Sequence, residues 1–139
     1  MGISEGDLIV EFGFDPRDCD EELRSALAAK CGSALLESDS QEVVDVVIIW
    51  WRQDDGDLVD ELVDALTFLT EDGDIWVISP KVGQPGHLEP NEIQDAAPTA
   101  GLSQTISCRC QQPTKHCRNE KHWLQSRRRF TKSYAHFWR

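Results

Sequence analysis

The chain has 139 residues, 40% of them apolar, and a formal charge of −11, which allows one domain with a modest core and not two full ones. No run nears the roughly 18 apolar residues of a membrane span, and Met1 to Asp7 lacks the basic start and apolar run of a signal peptide, so the expectation is a cytoplasmic protein with no membrane partner. The charge is split: residues 1–104 hold five basic side chains against 24 acids, formally −19, whereas residues 105–139 hold nine against the single acid Glu120, formally +8; an acidic core repels phosphate backbones and excludes nucleic acid as its partner.

Residues 7–14, rich in β-branched and aromatic side chains, predict a first strand closed by Gly13. Asp15 and Pro16 predict the cap and first residue of a helix. Acids 18 and 20–22 suit its positive end, Leu23, Ala26, Leu27 and Lys30 continue it, and Gly32 stops it. Ser33 to Leu36 reads as a short edge strand and Ser38 to Ser40 as a turn. Val43 to Trp51 is nearly all β-branched, as a central parallel strand covered on both faces requires. Asp54 to Asp57 offers helix caps, and Leu58, Leu62, Ala65, Leu66 and Leu69 share one face of a second helix. Glu71 to Asp74 reads as a turn, Ile75 to Ile78 as a buried strand, and Lys81 to His87 as a glycine- and proline-rich loop. A third helix runs from Glu89-Pro90 to Ala97, ended by Pro98 to Gly101, and Leu102 to Ser107 is a last strand.

Strands alternating with helices imply parallel strands joined by right-handed crossovers. The fold class is therefore α/β: a small Rossmann-like three-layer sandwich with a mostly parallel sheet. The domain reading is an acidic α/β unit over residues 1–107. A basic tail rich in cysteine and aromatic residues, disordered or aberrant, follows over 108–139.

Such sheets bind ligands at the carboxyl ends of their strands. A nucleotide or S-adenosylmethionine site wants a glycine-rich turn after the first strand. The chain offers Phe12-Gly-Phe-Asp-Pro-Arg17, with one glycine and several nearby acids that repel phosphate, so no cofactor is expected. Trp51 and Arg52 at the end of the central strand, with Lys81 and His87 around the glycine loop, are the candidate ligand-binding residues. Lys81 and His87 would hold an anion or move a proton; the plainer reading is a tight turn with His87 at the surface. Trp50 and Trp51 point to opposite faces of their strand, which suits packing under helices, though one of them would also line a pocket or a partner interface. Asp54, Asp55 and Asp57 would suit Mg²⁺ or Ca²⁺, but the calcium-loop pattern is absent and helix capping explains them. No serine or cysteine sits in a nucleophile elbow.

The odd count of five cysteines argues against a disulfide framework. In the tail, Cys108, Cys110, Cys117 and His122 are candidate zinc ligands, with His116 nearby, although their spacing matches no standard finger. Arg127 to Arg129 with Trp123, Phe130, Tyr134 and Phe137 mixes charge and aromatics as single-strand nucleic-acid binders do. A disordered or aberrant tail, able also to fold back electrostatically on the acidic core, is the plainer reading.

Three segments carry a resemblance. Val43 to Asp60, Asp72 to Pro90 and Ala96 to Leu102 resemble an actinobacterial family of conserved hypothetical proteins, domain of unknown function 3052, over residues 2–105. The resemblance implies a small intracellular α/β protein with a methyltransferase-like layout, here without the glycine-rich cofactor loop, and brings no activity with it. Family members begin with a longer N-terminal segment. After Thr105 the chain departs from the family pattern as a reading-frame shift would make it depart. No cofactor or catalytic constellation is complete, so the expected role is a non-catalytic interaction or regulatory module with a protein partner. The alternative is a small-ligand binder or enzyme using the loops at the strand ends.

Overall fold

The computed structural model describes residues 3–17, 21–32, 34–37, 39–80, 85–108 and 119–126. The elements, in chain order, are β1 (Ile9–Phe12), α1 (Glu21–Cys31), β2 (Leu36–Glu37), β3 (Val44–Trp50), α2 (Leu58–Phe68), β4 (Leu69–Pro80), α3 (Pro90–Thr99), β5 (Leu102–Cys108) and β6 (Asn119–Ser126). They form one six-stranded sheet in the order β2-β1-β3-β4-β6-β5. β1 pairs in parallel with β2 and β3, and β3 with β4, while β6 runs antiparallel to both β4 and β5.

The apolar strands lie where their composition places them. Ile49 is opposite Val77 and Ile48 opposite Trp76, and Ile48 and Val77 are fully buried. Alternation along β3 and β4 divides the interior into two layers. Val47, Ile49, Ile75 and Val77 face α2 and α3, meeting Leu62, Ala65, Ile93 and Ala97. Val46, Ile48, Trp50, Trp76 and Ile78 face the other way, meeting Leu27 and Cys31 of α1. The expected three-layer α/β sandwich is the observed one.

Four elements differ from the sequence reading. The first helix does not begin at Pro16. Asp15 instead accepts from the Arg17 backbone N–H at 2.9 Å and from its guanidinium at 2.6 Å, holding a turn before α1. Along α1, Leu23, Leu27 and Cys31 form the inward stripe while Ala26 and Lys30 are exposed. Glu71 to Asp74 is not a separate turn but part of β4, within a large bulge: β3 advances from Val44 to Val46 while β4 advances from Leu69 to Asp74. Pro98 does not end α3; it sits in the last turn, and Ala100 still donates to the Ala96 carbonyl at 3.0 Å. The sequence reading also placed no strand at 119–126. There β6 inserts between β4 and β5, so β5 does not pair with β4.

Candidate functional site

β2 lies on one side of β1 and β3 on the other, so the connections leave β1 and β3 in opposite directions. The crevice beyond their carboxyl ends is the topological switch point, the usual ligand position in an open α/β sheet. The loops around it are 13–17 and 51–57.

Arg52 spans this crevice. Its Nη1 donates to the carbonyl of Gly13 at 2.7 Å and to that of Trp50 at 3.2 Å. Asp55 holds the other side, accepting from the Arg52 backbone N–H at 2.9 Å and lying 3.5 Å from Nη1. The arginine side chain is only 17% exposed. Two glycines make room for it. Gly13 has φ +72° and a Cβ there would lie 2.6 Å from the Trp50 carbonyl oxygen; at Gly86 a Cβ would lie 3.0 Å from Arg52 Cβ. The first is a contact that no side chain tolerates, in a left-handed conformation that suits glycine. Gln53 donates to the Gly86 carbonyl at 3.0 Å and ties the following loop to the same place.

Beneath the crevice lies an acid that sequence reasoning did not single out. Glu11, in β1, is 6% exposed. It accepts from Arg24 Nε of α1 at 2.8 Å and from Trp50 Nε1 at 3.3 Å. The Arg24 guanidinium lies 4.3 Å from the centre of the Phe14 ring, and Phe14 packs edge-on to Trp50 at 5.5 Å. An acid inside Ile9-Val10-Glu11-Phe12 was the available signal, because a buried carboxylate needs partners. At the rim, hydrogen bonds from Arg17 hold the Asp15 carboxyl well below its usual range, at about 2. Glu11, Asp15 and Asp55 are thus each engaged by an arginine.

Three of the four ligand-binding candidates lie in the described residues, each with different partners. Arg52 is in the crevice. Trp51, its neighbour, points to the other layer and is buried against α2 and α3. His87 Nδ1 lies 2.9 Å from the Pro80 carbonyl oxygen, and its Nε2 lies 3.9 Å from Glu89, so it fastens the two ends of the glycine loop. Lys81 falls outside the described residues. Of the zinc candidates, Cys110 and Cys117 also fall outside; Cys108 and His122 lie on the neighbouring strands β5 and β6, where Cys108 pairs with Lys121 and Ser107 with His122. Among the described residues no group of three metal-ligating side chains occurs. Asp57 caps α2 as expected, accepting from the Val59 N–H at 2.9 Å.

On the α2/α3 face an open groove of about 630 Å³ is lined by Trp51, Leu58 and Leu88 together with Asp57, the cap of α2, and Glu92 and Asp95 of α3. Its volume is that of a small-ligand pocket.

Residues 1–119 match the family described as a protein of unknown function, DUF3052. The chain belongs to this family. Uncharacterised proteins of Mycobacterium tuberculosis and Mycobacterium bovis are 55% identical to it over 107 residues, which is 77% of this chain and 67% of theirs. Among solved structures, an S-adenosylmethionine-dependent methyltransferase from Aquifex aeolicus superposes with a TM-score of 0.59 at 14% identity, covering 88% of this chain and 84% of that one. A 1,6-didemethyltoxoflavin-N1-methyltransferase from Burkholderia thailandensis gives 0.57 at 13% identity, with coverage of 88% and 72%. At such identities the likeness is one of fold. This DUF3052 chain thus has a methyltransferase-like α/β architecture. Among its described residues no helix is long and apolar enough to cross a membrane.

Proposed function

We propose that this DUF3052 chain is a cytoplasmic, non-catalytic interaction or regulatory module that keeps a methyltransferase-like frame and fills its ligand crevice with its own side chains. The observation that supports this reading most is the Arg52 bridge between the carbonyls of Gly13 and Trp50. A nucleoside cofactor at a switch point needs open backbone at the first turn. Here that backbone carries an arginine fixed by Asp55. The crowded single-glycine turn and the three engaged acids point the same way. The strongly acidic exterior favours a basic protein as partner.

The test is a thermal-shift measurement on the full chain with S-adenosylmethionine, S-adenosylhomocysteine, nicotinamide dinucleotides and nucleotides. A ligand of the native state at a hundred times its Kd adds about 2.7 kcal/mol, a rise of several degrees for a chain of this size. The expected result is no rise at millimolar concentration. A rise with S-adenosylmethionine would sink the proposal and favour a small-ligand or enzymatic role.

A further inference from the structure

We propose that the groove between α2 and α3 is the docking place of the chain's own C-terminal segment, residues 127–139. This goes beyond the crevice reading and does not depend on it, because the groove lies on the α2/α3 face and the Arg52 bridge at the strand ends.

Three observations carry the assignment. The first is the chemistry of the groove. Trp51, Leu58 and Leu88 give it apolar lining, Asp57, Glu92 and Asp95 make it acidic, and among the described residues no lysine or arginine lines it. Among the described residues none of these three carboxylates has a cationic partner within ion-pair distance. The second is the composition of the segment. Its 13 residues carry five Lys and Arg, four aromatics and no acid, the complement of an apolar floor with an acidic rim.

The third is where the segment starts. β6 ends at Ser126, paired with Leu102 at the start of β5. Leu102 is three residues beyond Thr99, which lines the groove. Ser126 therefore lies within roughly 15 Å of the groove. Thirteen extended residues reach about 43 Å, whereas the ten residues of α3 span about 15 Å. The segment can traverse the whole groove, and tethering places it there at millimolar effective concentration. Docked so, the segment occupies the surface that a basic partner in trans would have to contest.

The test is limited chymotrypsin digestion of the full chain, followed by mass spectrometry for cleavage after Phe130 and Tyr134. A free peptide of sequence 127–139 supplies the reference rate at each salt concentration. In about 20 mM salt the tethered segment is cut at least tenfold more slowly than the peptide; in 0.5 M salt the difference closes, because charges are screened within a few ångströms. Asp95→Lys, at an exposed position without a capping role, removes the protection at low salt. Combining it with Arg127→Glu and Arg128→Glu restores it. Near-UV circular dichroism checks that each variant is folded. Equal cutting of chain and peptide at low salt overturns the proposal, as does protection that Asp95→Lys leaves unchanged. Protection that grows with protein concentration overturns it too, assigning the groove to a second copy.

Discussion

Gly13→Ala probes the closure of the crevice directly. Glycine stands there at φ +72°, and an added Cβ would lie 2.6 Å from the Trp50 carbonyl oxygen. An L-residue in the left-handed region costs about 1–2 kcal/mol. Forcing a methyl group against backbone that cannot yield adds about 1–3 kcal/mol. That backbone cannot yield because the atom met belongs to β3, which is paired on both sides. The expected loss is about 3 kcal/mol. At roughly 2.1 cal/mol/K per residue, unfolding entropy for this chain is near 0.3 kcal/mol/K, so Tm falls by about 10 °C. Gly6→Ala is the control: its φ is +91° and no atom lies within 4 Å of the added Cβ. It carries the conformational cost alone, a fall of about 3–7 °C. Differential scanning calorimetry of both variants separates the two contributions. If they melt within about 2 °C of each other, the close approach of β1 and β3 is not there and the crevice is not closed in the way described.

Glu11→Ala removes the shared acceptor of Arg24 and Trp50; because Arg24 is 37% exposed and recovers water, the cost is about 2 kcal/mol, read from urea unfolding. Asp57→Ala removes the cap of α2 and costs about 1 kcal/mol in the same assay. Asp15 is held at about 2 by Arg17, below its ordinary 3.8, so its contribution to stability is present above about pH 4 and lost as pH falls toward 2; Arg17→Ala returns the carboxyl toward 3.8 in an NMR titration, and an unmoved midpoint refutes the pairing. Glu61 is pushed up by burial first and then by Asp64 and Asp55. A raised acid stabilises below its ordinary range and loses that contribution as pH rises through its folded value, so Glu61→Gln raises Tm at pH 7, with the gap closing below pH 4.

The local chain determined most of the frame. Val43 to Trp51 and Ile75 to Ile78 have no polar face to show to water, so they had to lie side by side under helices, and Ile49 and Val77 do. Adjacent tryptophans on a strand had to part, and Trp50 and Trp51 lie in opposite layers. Asp57 announced its helix start because capping is a contact over two residues. Contacts between distant segments were decided by the tertiary structure. The insertion of 119–126 between β4 and β5 is a matter of long-range register, invisible to periodicity. Opposite Asp45, β4 takes up Thr70 to Gly73 as a bulge between the Val44–Leu69 and Val46–Asp74 pairs, so a sequence that reads as a turn became part of a strand. Glu11 and Arg24 are 13 positions apart, and Gly13 and Arg52 are 39 apart. Gly13 and Arg52 stood out in the sequence and Glu11 and Arg24 did not; only the approach of β1, β3 and α1 could make a buried acid an anchor and a strand-end arginine a plug.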